Sequence, residues 1–79
     1  MKFYGTYKEV TKKFDGEERI LNNKVYEYCT ETAALLAMVE DFKNITNSNV
    51  EYKINDICEN SIIVKCEGKR YCITAEFIS

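Results

Sequence analysis

Histidine and proline are both missing from this 79-residue chain. Without histidine the chain has neither the commonest general base nor the commonest metal ligand. A Ser-His or Cys-His nucleophile pair cannot be built within it. No proline and no stretch of Gly, Ser or Gln marks a linker, so residues 1–79 are expected to fold as a single domain. Long apolar runs are missing too: the longest, Ala33 to Val39, falls far short of the roughly 20 residues that span a bilayer. The N-terminal stretch Met1-Lys2-Phe3-Tyr4-Gly5-Thr6-Tyr7-Lys8 lacks the apolar core of a signal peptide. The expected location is the cytoplasm, away from membranes.

Charge of one sign is also scarce. The net charge is −2, and before residue 30 Lys2, Lys8, Lys12, Lys13, Arg19 and Lys24 nearly balance Glu9, Asp15, Glu17, Glu18 and Glu27. No basic arm or extended patch of the kind that drives non-specific nucleic-acid binding is evident. The chain is not acidic enough to act as a DNA mimic. What is plentiful is apolar and aromatic content, 46% and 13% of residues, well above the range of disordered chains. A domain of this size buries only roughly 60% of its unfolded surface, so a partner or ligand would add appreciably to its stability.

Catalytic and metal-binding constellations are not found. No phosphate loop, dinucleotide fingerprint or calcium loop is present. The adjacent carboxylates Glu17-Glu18 and Glu40-Asp41 lie at a turn and on a helix exposure, where a solvated face is the ordinary reading; catalytic pairs need a shared cleft. Cys29, Cys58, Cys66 and Cys72 lack the close paired spacing of a Cys₄ zinc site. Without a secretion signal they read as free thiols packed as small hydrophobes. No cofactor and no metal are expected, and Asn44-Ile45-Thr46 is a chance glycosylation match. The expectation is a protein that is not an enzyme.

The clearest element is a helix from about Glu31 to Asn44, capped by Thr30 or Thr32. Leu35, Val39 and Phe42 fall at helical spacing, and Ala34, Met38 and Ile45 widen the stripe, leaving Glu40, Asp41 and Lys43 to water. The segments Ser61 to Cys66 and Arg70 to Phe77 alternate around a turn at Glu67-Gly68-Lys69. This places Ile62, Val64 and Cys66 on one face with Tyr71, Ile73, Ala75 and Phe77, and Lys65, Cys72, Thr74 and Glu76 on the other. Cys66 and Cys72 thus point to opposite sides and cannot pair. Val50, Tyr52 and Ile54 alternate with Glu51, Lys53 and Asn55 as a third strand.

Near the N-terminus Asp15-Gly16 is a hairpin signal, predicting strands from about Phe3 to Phe14 and Glu17 to Tyr28, with Lys13 opposite Glu18 and a bend or bulge near Asn22-Asn23. The rival is a short helix, because Thr6-x-x-Glu9 forms a capping box and Tyr7, Val10 and Phe14 share helical spacing. With the hairpin, the fold class is α+β: an antiparallel sheet of about five strands, in the order hairpin, helix, three-stranded meander, with one helix packed on one face. The other face would be wetted or used for contact.

Two features mark candidate contact residues. Tyr26 and Tyr28 alternate with Val25, Glu27 and Cys29, so one face of that strand is aromatic; tyrosine is enriched at interfaces and also simply favours strands. Lys69 and Arg70 at the closing turn could join Lys53 and Lys65 on the polar sheet face as a small cationic patch; the plain alternative is a solubilised turn.

The layout resembles a family. The short Lys8-Glu9-Val10 strand, the helix after the first hairpin, and the closing hairpin with Gly68-Lys69-Arg70-Tyr71 look like small phage-encoded anti-CRISPR proteins. Those meant inhibit type I surveillance complexes with one helix on an antiparallel sheet. The resemblance implies steric blockade of a CRISPR effector subunit in the host cytoplasm, with no catalysis. The leading expectation is therefore a protein-binding inhibitor. The alternatives are a single-stranded nucleic-acid binder that stacks bases on sheet tyrosines and a homodimer with a self-complementary sheet edge or face.

Overall fold

The computed structural model describes residues 1–13 and 15–79. Among these residues lie five strands and one helix: β1 (Lys2–Val10), β2 (Arg19–Glu27), α1 (Glu31–Thr46), β3 (Val50–Cys58), β4 (Ser61–Cys66) and β5 (Lys69–Phe77). The strands form a single antiparallel sheet in the order β2-β1-β5-β4-β3, with α1 against one face. The α+β layout of hairpin, helix and meander is the expected one. Because β5 returns to pair with β1, the first and last strands lie side by side and β2 and β3 form the edges.

Helix α1 starts at Thr30, whose hydroxyl oxygen accepts from the N–H of Ala33 at 3.1 Å, satisfying a first-turn donor that has no helical partner. It ends at Asn47, which adopts the left-handed conformation (φ 51°) that asparagine tolerates better than most residues. Ala34, Leu35, Met38, Val39 and Phe42 are buried against the sheet. Ile45 was expected in this stripe and is instead exposed; it extends the Ala34–Met38 flank into the last turn, where that flank faces solvent. On the sheet, Phe3, Leu21, Tyr26, Ile62, Val64, Cys66, Ile73 and Ala75 meet the helix. Burying each of the larger of these side chains contributes roughly 1.5–3 kcal/mol.

The closing hairpin follows its sequence pattern. Cys66 pairs with Lys69 across the two-residue turn Glu67-Gly68, and both turn residues have positive φ (52° and 78°), as a primed hairpin turn requires. Ile62 faces Ile73 and Val64 faces Tyr71 on the helix side, while Lys65 faces Arg70 on the other. All four cysteines are free, with Cys66 buried on the helix side.

The first hairpin differs from expectation. The chain does not reverse in a two-residue turn at Asp15-Gly16: Asp15 bridges back to Val10, and the Gly16 N–H donates to the Glu9 carbonyl at 2.7 Å. Regular pairing then begins with Tyr7 opposite Arg19, so the expected Lys13–Glu18 pair does not form. Phe14, the expected strand end, lies outside the described residues. Residues 2–10 form a strand, which removes the short-helix alternative for that part of the chain.

Both edge strands carry large bulges. On β2, Val25 faces Tyr4 and Leu21 faces the next residue, Gly5, so three residues, Asn22 to Lys24, loop out. This is the bulge expected near Asn22-Asn23, and both asparagines have positive φ (56° and 43°). On β3, Tyr52 faces Val64 and Ile57 faces Ile62, so residues 53–56 stand opposite Ile63 alone. Each bulge changes the inside–outside alternation. Leu21 and Tyr26, five apart, would point to opposite faces of an unbroken strand, yet both are buried under the helix. On β3 the same effect brings Ile57 against the core in place of the expected Ile54, which is exposed.

Candidate functional site

Among the described residues no helix or second sheet packs on the face of the sheet away from α1, and strand register places its residues in rows. Tyr4 lies between Val25 and Glu76, and Thr6 between Ile20 and Thr74, with Ser61 next in line. Lys8 faces Cys72, which faces Ile63; Val10 faces Arg70, Arg70 faces Lys65, and Lys65 faces Glu51. The alternate residues of β1 point to the helix: the Tyr7 ring lies 5.3 Å from that of Phe42, and the helix-side space above Gly5 is filled by Met38.

One half of this face is apolar. Tyr4, Ile20 and Val25 are 41%, 62% and 55% exposed and, with Asn23 and Lys24, line a shallow depression of ≈ 470 Å³. Beside them Thr6 is only 3% exposed, and its Oγ1 has no hydrogen-bond partner among the described residues. The other half is cationic. Lys53, Lys65 and Arg70 surround a groove of ≈ 400 Å³ whose lining is completed by Glu51, Tyr52, Asp56 and Ile63. Among the described residues the ion pairs are Lys8–Asp15 (3.1 Å) and Lys24–Asp41 (3.0 Å), so the three cations of the groove are in none. Lys8 is already engaged: the hydrogen bond and charge of Asp15 raise its pKa.

Three of the expected contact residues, Lys53, Lys65 and Arg70, thus converge. Lys69 does not join them. Neighbouring residues of a strand point to opposite faces, and Lys69 pairs with Cys66 in the helix-side row. Tyr26 and Tyr28 are also separate from this surface and from each other. β2 ends at Glu27, and Tyr28 is exposed beyond it, its N–H bonded to the Met1 carbonyl. Tyr26 is a core residue, 2% exposed. The bulge at Asn22 to Lys24 turns its ring toward the helix, where its hydroxyl donates to Asp41 Oδ2 at 2.5 Å.

Asp41 was expected to face water. Instead its Oδ2 also accepts from Asn22 Nδ2 (3.3 Å) and pairs with Lys24 Nζ. Desolvation, the strongest single influence, pushes the Asp41 pKa up, but the hydrogen bonds from Tyr26, Lys24 and Asn22 and the Lys24 charge outweigh it, and the net shift is down. Burial raises the pKa of Tyr26, with the hydrogen bond to Asp41 and the Asp41 charge acting the same way. This cluster fastens the bulged edge strand to the helix.

Sequence reasoning missed Tyr4, Ile20 and Val25. The alternation of Tyr4 with Phe3 and Gly5 was a usable signal; Ile20 and Val25 were hidden because the bulge reverses the alternation between them. Among the described residues no group of three or more His, Cys, Asp or Glu side chains could hold a metal ion, and no helix is long and apolar enough to cross a membrane. Comparison with protein-family models, with curated proteins and with solved structures gives no match.

Proposed function

We propose that this chain is a non-catalytic protein-binding module whose contact surface is the open face of its sheet. The observation that carries the reading is the apolar group Tyr4, Ile20 and Val25, exposed together on adjacent strands and continued across the face by Lys53, Lys65 and Arg70. Contiguous exposed apolar surface with a polar surround is the usual composition of a protein interface. The narrower reading is a small inhibitor that blocks a bacterial CRISPR effector by steric occlusion; it carries over from the resemblance in layout.

Nucleic-acid stacking and edge-to-edge dimerisation fit less well, and a homodimer through the open face is left to the test below. A stacking platform for single-stranded nucleic acid needs a row of aromatic rings on the open face, but Tyr7, Tyr26 and Tyr71 pack on the helix side, leaving Tyr4 and, at the rim of the groove, Tyr52 at opposite ends of the sheet. A homodimer through the sheet edges would have to pair strands that both carry bulges, and bulges discourage edge pairing.

The test is a photocrosslinking amino acid placed singly at Ile20, at Val25 and, as a control, at the helix residue Glu40. The expected outcome is one discrete protein adduct from the open-face positions and none from Glu40. Equal labelling from all three positions, or none from Ile20 and Val25, argues against the open face. An adduct of the chain with itself identifies the homodimer. For the narrower reading, a purified type I surveillance complex should lose target-DNA binding when the protein is added; unchanged binding removes it.

A further inference from the structure

We infer that the groove between the β3 bulge and β4–β5 receives a carboxylate side chain from an acidic segment of the protein partner. This inference rests on the open face being a protein-binding surface. Lys65 and Arg70 are directly opposite across β4–β5 and project to the same face, an arrangement in which like charges repel. Neither forms an ion pair among the described residues, and although Glu51 lies opposite Lys65 in register it does not close on it. An anion seated between the two cations relieves that repulsion, and the arginine fork offers it paired donors.

The backbone contributes the recess. Residues 53–56 leave the β3–β4 ladder at Ile63, so Ile63 is part of the groove lining while Lys53 and Asp56 stand at its side. Bulges of this kind re-aim side chains at functional sites. The mixture of charges then selects the occupant. Three cations grouped at one place suit a single carboxylate. Glu51 and Asp56 at the same groove repel the closely spaced, continuous phosphates of a nucleic-acid backbone, whereas a carboxylate on a flexible side chain can enter the groove singly while its neighbours stay in solvent. Lys8, which would extend a phosphate-binding track, is held by Asp15.

The experiment is a titration of the isotopically labelled full chain at low ionic strength, followed by amide NMR, with hexaglutamate as the probe. Parallel titrations use inorganic phosphate and a single-stranded dodecathymidylate. Hexaglutamate should give saturable shifts centred on Lys53, Ile63, Lys65 and Arg70, removed by added salt. Lys65→Gln and Arg70→Gln, both exposed positions, should each weaken the response by about tenfold, the worth of one charged hydrogen bond. The inference is overturned by an absence of saturable shifts, by an undiminished response in both variants, or by phosphate or the oligonucleotide saturating the same amides at lower concentration. If hexaglutamate fails while Ile20 and Val25 still crosslink to a partner, the acidic contact is wrong and the binding face stands.

Discussion

The Tyr26 hydroxyl donates to Asp41 Oδ2 across 2.5 Å, joining the buried end of an edge strand to the middle of the single helix. The same oxygen holds Asn22 and Lys24 from the bulge, so one carboxylate fixes a backbone irregularity that strand pairing leaves free. Asp41→Ala should cost roughly 2 kcal/mol, since it strands a buried phenol and removes charge-assisted hydrogen bonds. Urea unfolding measures this, and a loss under about 0.5 kcal/mol, the range of ordinary surface substitutions, would mean that the cluster is incidental.

The pair also sets a pH window. Folding lowers the Asp41 pKa from its usual 3.8, so the unfolded chain takes up the proton first as acid is added. Stability from this group is complete above that usual value and is lost as pH falls through the lower folded one. Folding raises the Tyr26 pKa above its usual 10.0, so stability from the phenol is complete below pH 10.0 and is lost as pH rises beyond it. Tyr26→Phe should flatten the alkaline limb of the stability curve. An unchanged alkaline limb in Tyr26→Phe would assign it to other groups.

At the centre of the open face, Thr6 keeps its hydroxyl buried with no hydrogen-bond partner among the described residues. A buried polar atom without a partner is costly, and replacing it by an apolar group of the same shape removes the cost. Valine also suits a strand. Thr6→Val should therefore stabilise the domain by about 1 kcal/mol, which for a chain of this size raises the melting temperature by roughly 4–8 °C. A lowered melting temperature would show that the hydroxyl is satisfied in solution.

Element order, the helix and the closing hairpin were legible because each is a local pattern that tertiary packing reinforces. Thr30 is a cap and Glu67-Gly68 a turn through short-range geometry alone. The bulges were half-legible: paired asparagines signalled the one on β2, but nothing in residues 53–56 signalled the one on β3. A bulge changes which residues share a face, so errors in its placement propagate. Plain alternation therefore puts Tyr26 on a contact surface although it lies in the core, and it hides Ile20 and Val25. Lys69 was grouped with Arg70 by adjacency, which in a strand means opposite faces. Helical spacing makes Asp41 look solvated because it reports only distance from the apolar stripe, whereas its partners arrive from another element.

The four thiols should differ sharply in reactivity. Cys29 and Cys58 are exposed, Cys72 is half-buried on the open face and Cys66 is buried under the helix. An aromatic disulfide reagent should modify Cys29 and Cys58 rapidly and Cys72 more slowly, reaching Cys66 only when the domain unfolds. Mild oxidation should leave Cys66 and Cys72 unlinked, since they point to opposite sides of β4–β5. A Cys66–Cys72 disulfide found by peptide mapping after oxidation of the folded protein would overturn the register of that hairpin.

The β2 bulge gives a direct test of how backbone conformation controls the two faces. Asn23 has φ 43°, and its side chain makes no hydrogen bond among the described residues, so it reports on the backbone more cleanly than Asn22 does. Left-handed conformation costs a side-chain-bearing residue roughly 1–2 kcal/mol, with asparagine among the least penalised. Asn23→Val should cost about that much, because a branched Cβ resists this region. Asn23→Gly should be within about 0.5 kcal/mol of the parent, since glycine adopts positive φ freely and the remaining difference is unfolded-chain entropy. If valine straightens the strand, the parity of residues 21 and 26 is restored and one of the two must leave the core. Losing the Tyr26–Asp41 hydrogen bond would then make the domain insensitive to Asp41→Ala. Equal losses for valine and glycine at position 23 would instead assign the cost to a side-chain contact and remove backbone strain as the reason for the bulge.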